Sequence, residues 1–272
     1  MSDKDARTVL NVTSLQAALD AAGWAGPMPT VLDTTESTNN DVARLAAAGA
    51  VEGACIVAEH QSQGRGRQAR DWVSPPHAGL WMSVLIRPKD MPRDSWTWLP
   101  LLAGLAASDA VNSIAQVPTQ VKWPNDLVVI ADHGKHQGKP FKLAGILSEA
   151  IDGSTVVLGI GINVSLTKEE LPIPTGTSIT LERGVVNREA LMAQVLVNLV
   201  ARLEQWRARD QDLVHDYRAV CATIGRTIEA TLPGDKVIRG VAVQVDNDGH
   251  LVIEVGSDTV IVTAGDVIHA TI

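Results

Sequence analysis

The order of the apolar segments constrains this fold more than any other feature of the sequence. Runs of strand length flank the Lys-Trp-Pro-Asn-Asp turn at residues 122–126, and two more follow at 142–150 and 154–165, with no helical pattern between them. A parallel sheet needs a crossover helix after nearly every strand, whereas strands joined by short turns pair antiparallel. The chain is therefore predicted to be α+β, with a mixed or antiparallel β-sheet and helices on one side.

Helical patterns are confined to the segments before and after these strands. A short helix is predicted at residues 14–22, with Thr13 or Ser14 as its N-cap, and a second follows the polar cluster at 37–40 and ends at Gly49. Further helices are predicted at 95–116, 188–208 and 211–220, and further strands at 30–34, 54–59 and 79–87.

The pattern of the sequence changes after Gly225. Short β-rich runs follow one another there, separated by turn sequences such as PGD, DNDGH and GSD. Strands of this length and spacing are typical of a small β-barrel. We therefore predict two domains, a larger one over residues 1–222 and a C-terminal barrel over 223–272.

Composition and charge exclude several classes of protein. The chain is 45% hydrophobic and 20% charged, which is typical of a folded globular protein and not of a disordered one. No apolar run approaches 18 residues, so no membrane span is predicted, and the charged start MSDKDARTVLN lacks the apolar core of a signal peptide. We expect a cytoplasmic protein. The net charge of −8 argues against nucleic-acid binding.

No metal site is predicted from the sequence. Cys55 and Cys221 form no disulfide framework and match no metal-ligand spacing. His133 and His136 lie in the polar segment 131–141, which is predicted to be a hairpin tip, and histidines three residues apart without a helix are a weak metal signal.

The most unusual segment is the loop from Gln61 to Arg70, which places three arginines within six residues of an acidic protein. Its glycines allow close approach of the backbone to a ligand, and arginine makes forked contacts to phosphate or carboxylate. The loop therefore reads either as an anion-binding loop or as a solvated basic loop. The dinucleotide-binding interpretation of Gly64-x-Gly66-x-x-Ala69 is excluded, because Pro75 and Pro76 prevent the helix that it requires.

Two further patterns indicate a site on the sheet. Lys122-Trp123-Pro124-Asn125-Asp126 ends one strand at a polar turn, and Lys142 opens an apolar strand. Gly145, Gly159 and Gly161 then lie on two neighbouring strands, which suggests a sheet face kept free of side chains as a bed for a ligand. A bulge or tight packing would explain the same glycines. Turn chemistry alone would explain Asn125 and Asp126, and a lysine that opens an apolar strand is usually an edge residue with its charge in water.

Taken together and in this order, the motifs resemble those of the biotin protein ligases. They are the Ser37-Thr38-Asn39 cluster, Gly64-Arg65-Gly66-Arg67 with Trp72 after it, Lys122 to Asp126, the segment KLAGIL from Lys142, and GIGIN from Gly159 to Asn163. The resemblance implies an enzyme that joins biotin to ATP and passes biotin from biotinyl-5'-AMP to a lysine of a carboxylase carrier domain. It also implies a mixed β-sheet with helices on one side and a C-terminal barrel of the SH3-like kind.

The resemblance carries roles over to particular residues of this sequence. Ser37, Thr38, Asn39 and Gln61 would hold the biotin head group, and the loop Gly64-Arg65-Gly66-Arg67 would order over biotin and adenylate. Arg65 and Arg67 would meet phosphate and carboxylate, and Lys142 would contact the biotin carboxylate and the α-phosphate. Asp126 would lie near the acceptor amine, and Trp72 and Asn163 near the adenylate. ATP and biotin would be substrates, with Mg²⁺ carrying the pyrophosphate charge.

Other interpretations remain open at this point. A lipoate ligase or a lipoyl or octanoyl transferase shares the sheet and a lysine, but lacks the GRGR loop and KWPND as written here. A nucleic-acid-binding module using the arginines is opposed by the acidic net charge. Only about 30 residues precede the first predicted strand, too few for a DNA-binding domain. We therefore expect a single-function ligase that is a monomer or a homodimer, with a biotin carboxyl carrier domain as its partner.

Overall fold

The computed structural model describes residues 7–89, 91–132, 134–232, 237–263 and 265–269. Its main body is a seven-stranded sheet. The strands are β1 Thr30–Thr35, β2 Cys55–Gln61, β3 Gly79–Ile86, β4 Gln120–Lys122, β5 Asp126–Ile130, β6 Pro140–Ala150 and β7 Val156–Asn163. Their order is β1-β2-β3-β7-β6-β5-β4, with β1 parallel to β2 and every other pair antiparallel. The predicted mixed sheet and the hairpin tip between β5 and β6 are confirmed, although His133 lies outside the described residues.

Five α-helices are present in the described part of the chain. They are α1 Val12–Ala22, α2 Thr38–Ala47, α3 Trp98–Ala110, α4 Arg188–Ala208 and α5 Gln211–Ala219. A 3₁₀ turn precedes α3 and a π turn follows it, so the whole stretch 93–115 is helical, close to the predicted span. The predicted cap of the first helix was wrong. Asn11 is the N-cap, and its side chain accepts from the Ser14 backbone N–H. None of these helices is long and apolar enough to span a membrane.

The strand β3 shows how the sheet is covered on both faces. All eight of its residues are buried, as expected for a central strand with structure on either side. Leu80, Met82 and Val84 point into the main core, which α3 and α4 share, while Leu85 points to the opposite face. The predicted layer of helices on one side is thus formed by α1, α3 and α4, and the short α2 packs on the other face over β2, β3 and β7.

The C-terminal strands form a separate antiparallel sheet of five strands, in the order β11-β10-β9-β8-β12. They are β8 Thr227–Thr231, β9 Val237–Val245, β10 Leu251–Val255, β11 Asp258–Val262 and β12 Asp266–His269. The small all-β unit expected after Gly225 is therefore confirmed and is consistent with an SH3-like barrel. The predicted domain division at 222/223 falls in the connection between α5 and β8 and stays a prediction.

Hydrogen bonds and a shared apolar core fix this small sheet to the body. The Trp98 indole N–H donates to the Asn247 carbonyl at 2.8 Å, and the Trp123 indole N–H donates to the Gly249 carbonyl at 3.0 Å. Ile228, Leu251 and other buried residues of the small sheet belong to the same apolar cluster as α3 and α4. The turn at 122–126 is consequently held between the two sheets.

A buried ion pair joins β2 to the start of α4. The Arg188 guanidinium donates to both carboxylate oxygens of Glu59, at 2.6 and 3.1 Å, and also to the carbonyls of Thr8 and Gly79. Burial works to raise the pKa of Glu59, but the hydrogen bonds from Arg188 and from the Leu10 N–H outweigh it, so the pKa is lowered. The side chains of Arg188 and Glu59 are only 6% and 2% exposed, so each charge has lost most of its hydration and is stabilised largely by the other.

We expect Arg188→Met to lower the free energy of unfolding by about 3 kcal/mol at pH 7, because the buried Glu59 carboxylate would lose its arginine partner and keep the Leu10 N–H and the nearby His77 ring. The folded-state pKa of Glu59 is depressed, so its stabilisation is complete above its unfolded pKa and is lost as pH falls through the folded pKa. The gap between wild type and variant should therefore narrow in acid. Urea unfolding at pH 7 and at successive pH values from 5 down to about 3, across the ordinary glutamate pKa and below it, measures both effects.

Arg44→Met serves as the matched control, because Arg44 pairs with Asp41 but its side chain is 66% exposed. It should change the free energy of unfolding by no more than about 0.5 kcal/mol. A similar loss in both variants would contradict the importance assigned to the buried pair.

Candidate active site

A β-bulge aims Lys142 at the site. In the pairing of β5 with β6, Leu127 faces Ala144 and Val128 faces Lys142, so Leu143 is an extra residue in β6. Leu143 and Ala144 consequently both enter the main core. Lys142 and Gly145, although three residues apart, lie on the same face of the sheet, where a Cβ on Gly145 would be 3.3 Å from the Lys142 Nζ.

One cross-strand row organises this face. The pairings align Trp81, Gly161, Gly145, Asp126 and Lys122, on β3, β7, β6, β5 and β4 in turn. The row therefore runs from an aromatic ring, over two glycines, to a carboxylate and an ammonium. Since opposed residues share a face, the chemistry at its charged end lies beside the open glycine surface.

The glycine surface is covered by a side chain from the arginine loop. The Trp72 ring lies so close that a Cβ on Gly145 would be 2.9 Å and one on Gly161 would be 2.8 Å from its atoms. Trp72 also meets Trp81 edge to face, with 6.2 Å between ring centroids, and the Lys142 Nζ is 5.3 Å from the Trp72 ring centroid. The glycine face, predicted to be open to a ligand, is thus covered by the Trp72 ring. A ligand bound here would contact the indole.

A chain of buried and half-buried hydrogen bonds forms the other end of the site. The Gln61 Oε1 accepts from the backbone N–H and the hydroxyl of Thr38, at 2.9 and 3.1 Å. The Thr38 hydroxyl is 2.7 Å from the Ser83 hydroxyl, which donates to the Asn39 Oδ1 at 2.5 Å. The Asn39 amide then donates to Glu149 at 2.6 Å. Polar groups of fixed orientation are therefore presented at the start of α2.

Ser37 begins α2 without capping it. Its backbone occupies the N-cap position, but its side chain makes no capping hydrogen bond. The Gln61 side chain accepts from the Thr38 N–H instead, which satisfies one of the free donors at the helix start. Ser37 is buried and lines the cavity, so its hydroxyl is available for another partner there.

The three arginines of the loop are held by different partners. Arg65 donates to the Asn40 side chain at 2.6 Å and lies 3.6 Å from Glu149. Arg67 donates to the Gly265 carbonyl at 3.0 Å and to the Asn125 side chain at 3.4 Å. Arg70 forms an ion pair with Asp266 at the start of β12. The loop is therefore attached to both sheets. This favours the interpretation as an anion-binding loop over that as a solvated basic loop.

Three cationic groups approach one another near the 122–126 turn. The Lys142 Nζ is 2.6 Å from an Asp126 carboxylate oxygen. Burial lowers the pKa of Arg67 and also that of Lys122, with the charge of Asp126 acting against the shift in both cases. Cations that lose hydration on burial gain most from an anionic ligand, so this end of the cavity suits a polyanion.

These groups surround one cavity of about 660 Å³. Of the residues predicted for the site, only Gly64 is absent from the lining of the cavity. A Cβ on Gly64 would be 2.4 Å from the Trp72 carbonyl oxygen, so the close approach of the two backbone segments requires glycine at this position. Asn163 lies at the wall and donates to the Thr177 carbonyl at 3.0 Å. The predicted residues in the lining are Ser37, Thr38, Asn39, Gln61, Arg65, Gly66, Arg67, Trp72, Asp126, Lys142 and Asn163.

Sequence reasoning missed three members of the site. Lys122 was visible in the KWPND turn, but only the pairing of β4 with β5 shows that it lies beside Asp126. Ser83, inside an apolar strand, and Glu149, near the end of β6, gave no local signal. Their roles depend on hydrogen bonds to Asn39, which is 44 residues from the first and 110 from the second.

Comparison with known families agrees with this architecture. The model of the Biotin/lipoate A/B protein ligase family matches residues 31–165, which contain every predicted site residue, and the model of the Biotin protein ligase C terminal domain matches residues 223–270. The class that fold and site define is therefore that of the biotin and lipoate ligases.

Similarity to individual proteins narrows this class. The chain is 41% identical over 276 residues to the Biotin--[acetyl-CoA-carboxylase] ligase of Mycobacterium tuberculosis, across 99% of both chains. It is 31% identical to the Bifunctional ligase/repressor BirA of Bacillus spizizenii, over 82% of this chain and 68% of that protein. The fold is similar to that of the biotin protein ligase from Aquifex aeolicus in complex with biotin and ATP, with a TM-score of 0.75, 24% identity, and coverage of 89% of this chain and 99% of that one. The chain belongs to the biotin protein ligase family.

We expect Gly159→Ala to lower the free energy of unfolding by about 1–3 kcal/mol, because a Cβ at Gly159 would be 2.3 Å from the Asn39 Oδ1 and would break the buried hydrogen bonds of Asn39. Gly153→Ala is the control, since a Cβ there meets nothing within 4 Å. Urea unfolding compares the two variants. Equal stabilities would mean that Asn39 is not held against Gly159.

Proposed function

We propose that this protein biotinylates a lysine of the biotin carboxyl carrier domain of acetyl-CoA carboxylase, using ATP and a biotinyl-5'-AMP intermediate. The Mycobacterium tuberculosis relative is named a Biotin--[acetyl-CoA-carboxylase] ligase. The observation that carries the proposal is the division of one cavity into two ends. One end presents the uncharged side chains of Ser37, Thr38, Asn39 and Gln61, and the other holds Arg67, Lys122 and Lys142.

The first step needs such a division. The carboxylate of biotin attacks the α-phosphorus of ATP, the bond to the β-phosphate breaks, and pyrophosphate leaves. Two anions must meet for this, so fixed cations have to offset their repulsion and stabilise the charge that grows in the transition state. In our proposal Lys142 lies between carboxylate and α-phosphate, while Arg67 and Lys122 meet the phosphates.

The uncharged end suits the head group of biotin. A ureido ring has both N–H donors and a carbonyl acceptor, and it needs partners of both kinds. Ser37, Thr38, Asn39 and Gln61 supply hydroxyl and amide groups, and hydrogen bonds with Ser83 and Glu149 orient those of Thr38 and Asn39. We propose that these four residues bind the head group and that the valeryl chain leads the carboxylate toward Lys142.

Trp72 and the arginine loop complete the proposed nucleotide site. Trp72 offers an aromatic surface beside Lys142, and Asn163 lies at the same wall. The mixed anhydride of biotin and AMP is hydrolysable, so a loop that excludes water protects it. Gly64, Arg65, Gly66 and Arg67 form that loop in our proposal, with Arg65 attached to the biotin end through Asn40.

The residues at the cationic end also fit a magnesium ion. Mg²⁺ is commonly held by one or two carboxylates together with substrate phosphates, and Asp126 and the Asn125 Oδ1 provide oxygen atoms at the cavity wall. When bound, the ion would neutralise charge on the departing pyrophosphate.

The second step transfers biotin from the adenylate to a lysine amine, with AMP as the leaving group. The attacking amine must be unprotonated. We propose that Asp126, which lines the cavity beside the Lys142 ammonium, orients the amine or accepts its proton. We propose a cytoplasmic enzyme without a nucleic-acid partner, which acts as a monomer or a homodimer.

Substrate choice tests the proposal directly. With ATP and biotin the protein should release pyrophosphate and label a purified carrier domain, because the uncharged end matches a ureido group. Lipoate offers no such group and should give little product. Pyrophosphate release and carrier-domain modification with each acid separate the two activities. Pyrophosphate release with lipoate alone would favour the lipoate ligase instead.

Removing a cation from the site should slow adenylation. We expect Lys142→Ala to lower the rate of adenylate formation by on the order of 100-fold or more, because one preorganised donor contributes about 3 kcal/mol in such sites. Arg67→Ala should impair formation or retention of the adenylate and leave the fold intact. Single-turnover pyrophosphate release measures both.

Lys89→Ala is a suitable control for these variants, since Lys89 is exposed and lies outside the cavity. It should retain the wild-type rate. Near-normal rates in both the Lys142 and the Arg67 variants would contradict the roles proposed for these residues.

A further inference from the structure

The segment between β7 and α4 forms one wall of the cavity. Leu171, Pro172 and Ile173 line it there. Leu171 and Trp72 pack against the same small apolar cluster, which consists of Ala78, Trp81 and Leu166. The segment and Trp72, the aromatic surface of the proposed nucleotide site, therefore share the same buried support.

The segment is attached to the cationic end of the site on its C-terminal side. The Lys142 N–H donates to the Thr175 carbonyl at 2.7 Å, and the Thr177 N–H donates to the Lys142 carbonyl at 2.9 Å. A Cβ on Gly176, between these two residues, would be 3.1 Å from Leu171. A displacement of Leu171 would consequently disturb the structure next to Lys142.

The attachment on the N-terminal side comes from a distant part of the sequence. Arg7 donates to both carboxylate oxygens of Glu170, at 3.2 and 2.6 Å, and to the Ser165 carbonyl at 2.6 Å. Glu170 also accepts from the Thr167 N–H at 3.0 Å. One guanidinium therefore ties together the two ends of the turn 165–170, directly before Leu171.

This pair is shielded from water, unlike most surface ion pairs. The side chains of Arg7 and Glu170 are 8% and 14% exposed. A bidentate arginine–carboxylate contact fixes direction as well as distance, so it can hold a turn in one orientation. The pair is not part of the cavity lining, so it acts on the cavity only through the segment that it holds.

We propose that Arg7 is a positioning residue for the nucleotide. Through Glu170 it holds the turn 165–170, and thereby the wall Leu171–Ile173, in the place that ATP and the adenylate require. This inference rests on the proposed function, which assigns the Trp72 and Lys142 end of the cavity to ATP. Of the residues assigned to biotin, Thr38 is bonded to Gln61 and Ser83, and Asn39 is bonded to Ser83 and Glu149, so none of these bonds involves the turn 165–170.

Steady-state kinetics of the full chain test the inference. Arg7→Ala should raise the KM for ATP by about tenfold, because a displaced wall misplaces the nucleotide, and should change the KM for biotin by less than about twofold. At saturating ATP, kcat should stay near the wild-type value. Arg7→Lys keeps the charge without the fork and should restore part of the ATP affinity.

Two further variants separate positioning from general stability. Arg207→Ala removes another ion pair, that of Arg207 with Glu52, which is about one third exposed and outside the cavity, and it should leave the KM for ATP unchanged. Glu170→Gln keeps the shape of its side chain and should raise the KM for ATP as Arg7→Ala does. If Arg7→Ala does not fold, the KM for ATP of Glu170→Gln still tests the inference.

Direct titration of wild type and the folded variants with ATP, by calorimetry, makes the test independent of the biotinylation reaction. Weaker ATP binding by the variants supports the inference even if wild type proves inactive with biotin, in which case the proposed function alone fails. Unchanged ATP binding in a folded Arg7→Ala or Glu170→Gln variant would overturn the inference. So would an equal rise of both KM values.

Discussion

The site depends on one extra residue in a strand. With regular alternation along β6, Lys142 and Gly145 would face opposite sides of the sheet, because successive side chains alternate and these residues are three apart. The bulge at Leu143 puts both on one face and sends Leu143 and Ala144 together into the core. An ammonium group is thereby placed beside an open glycine surface, next to Asp126 in the neighbouring strand.

The cationic end is notable in a chain with a net charge of −8. Its positive charge is local, since Arg67, Lys122 and Lys142 converge on the turn at 122–126, with Asp126 and Asp266 among them. These acids reduce the repulsion between the cations while the site is formed. A polyanionic substrate then meets groups that burial has already deprived of part of their hydration, which makes their contribution to binding larger than that of exposed lysines.

The two sheets act together in forming this end. Arg67 reaches the Gly265 carbonyl, Arg70 pairs with Asp266, and the Trp123 indole bonds to the Gly249 carbonyl. The C-terminal sheet therefore supports the arginine loop and the 122–126 turn from outside. The C-terminal sheet supplies few groups to the cavity, but its contacts fix the position of the arginine loop.

The sequence by itself determined the elements and most of the ingredients of the site. Alternating and continuous apolar runs gave the strands and helices nearly to their bounds, because burial imposes a period that the residues must follow. Unusual local groupings, such as the arginine loop and KWPND, marked the polar side chains that gather at the cavity. The tertiary structure alone decided which of these groups face one another. It revealed the bulge that turns Lys142, the seat of Trp72 on Gly145 and Gly161, and the bonds of Ser83 and Glu149 to Asn39. These contacts join residues far apart in the chain, and no local pattern records them, since they depend on strand order and register.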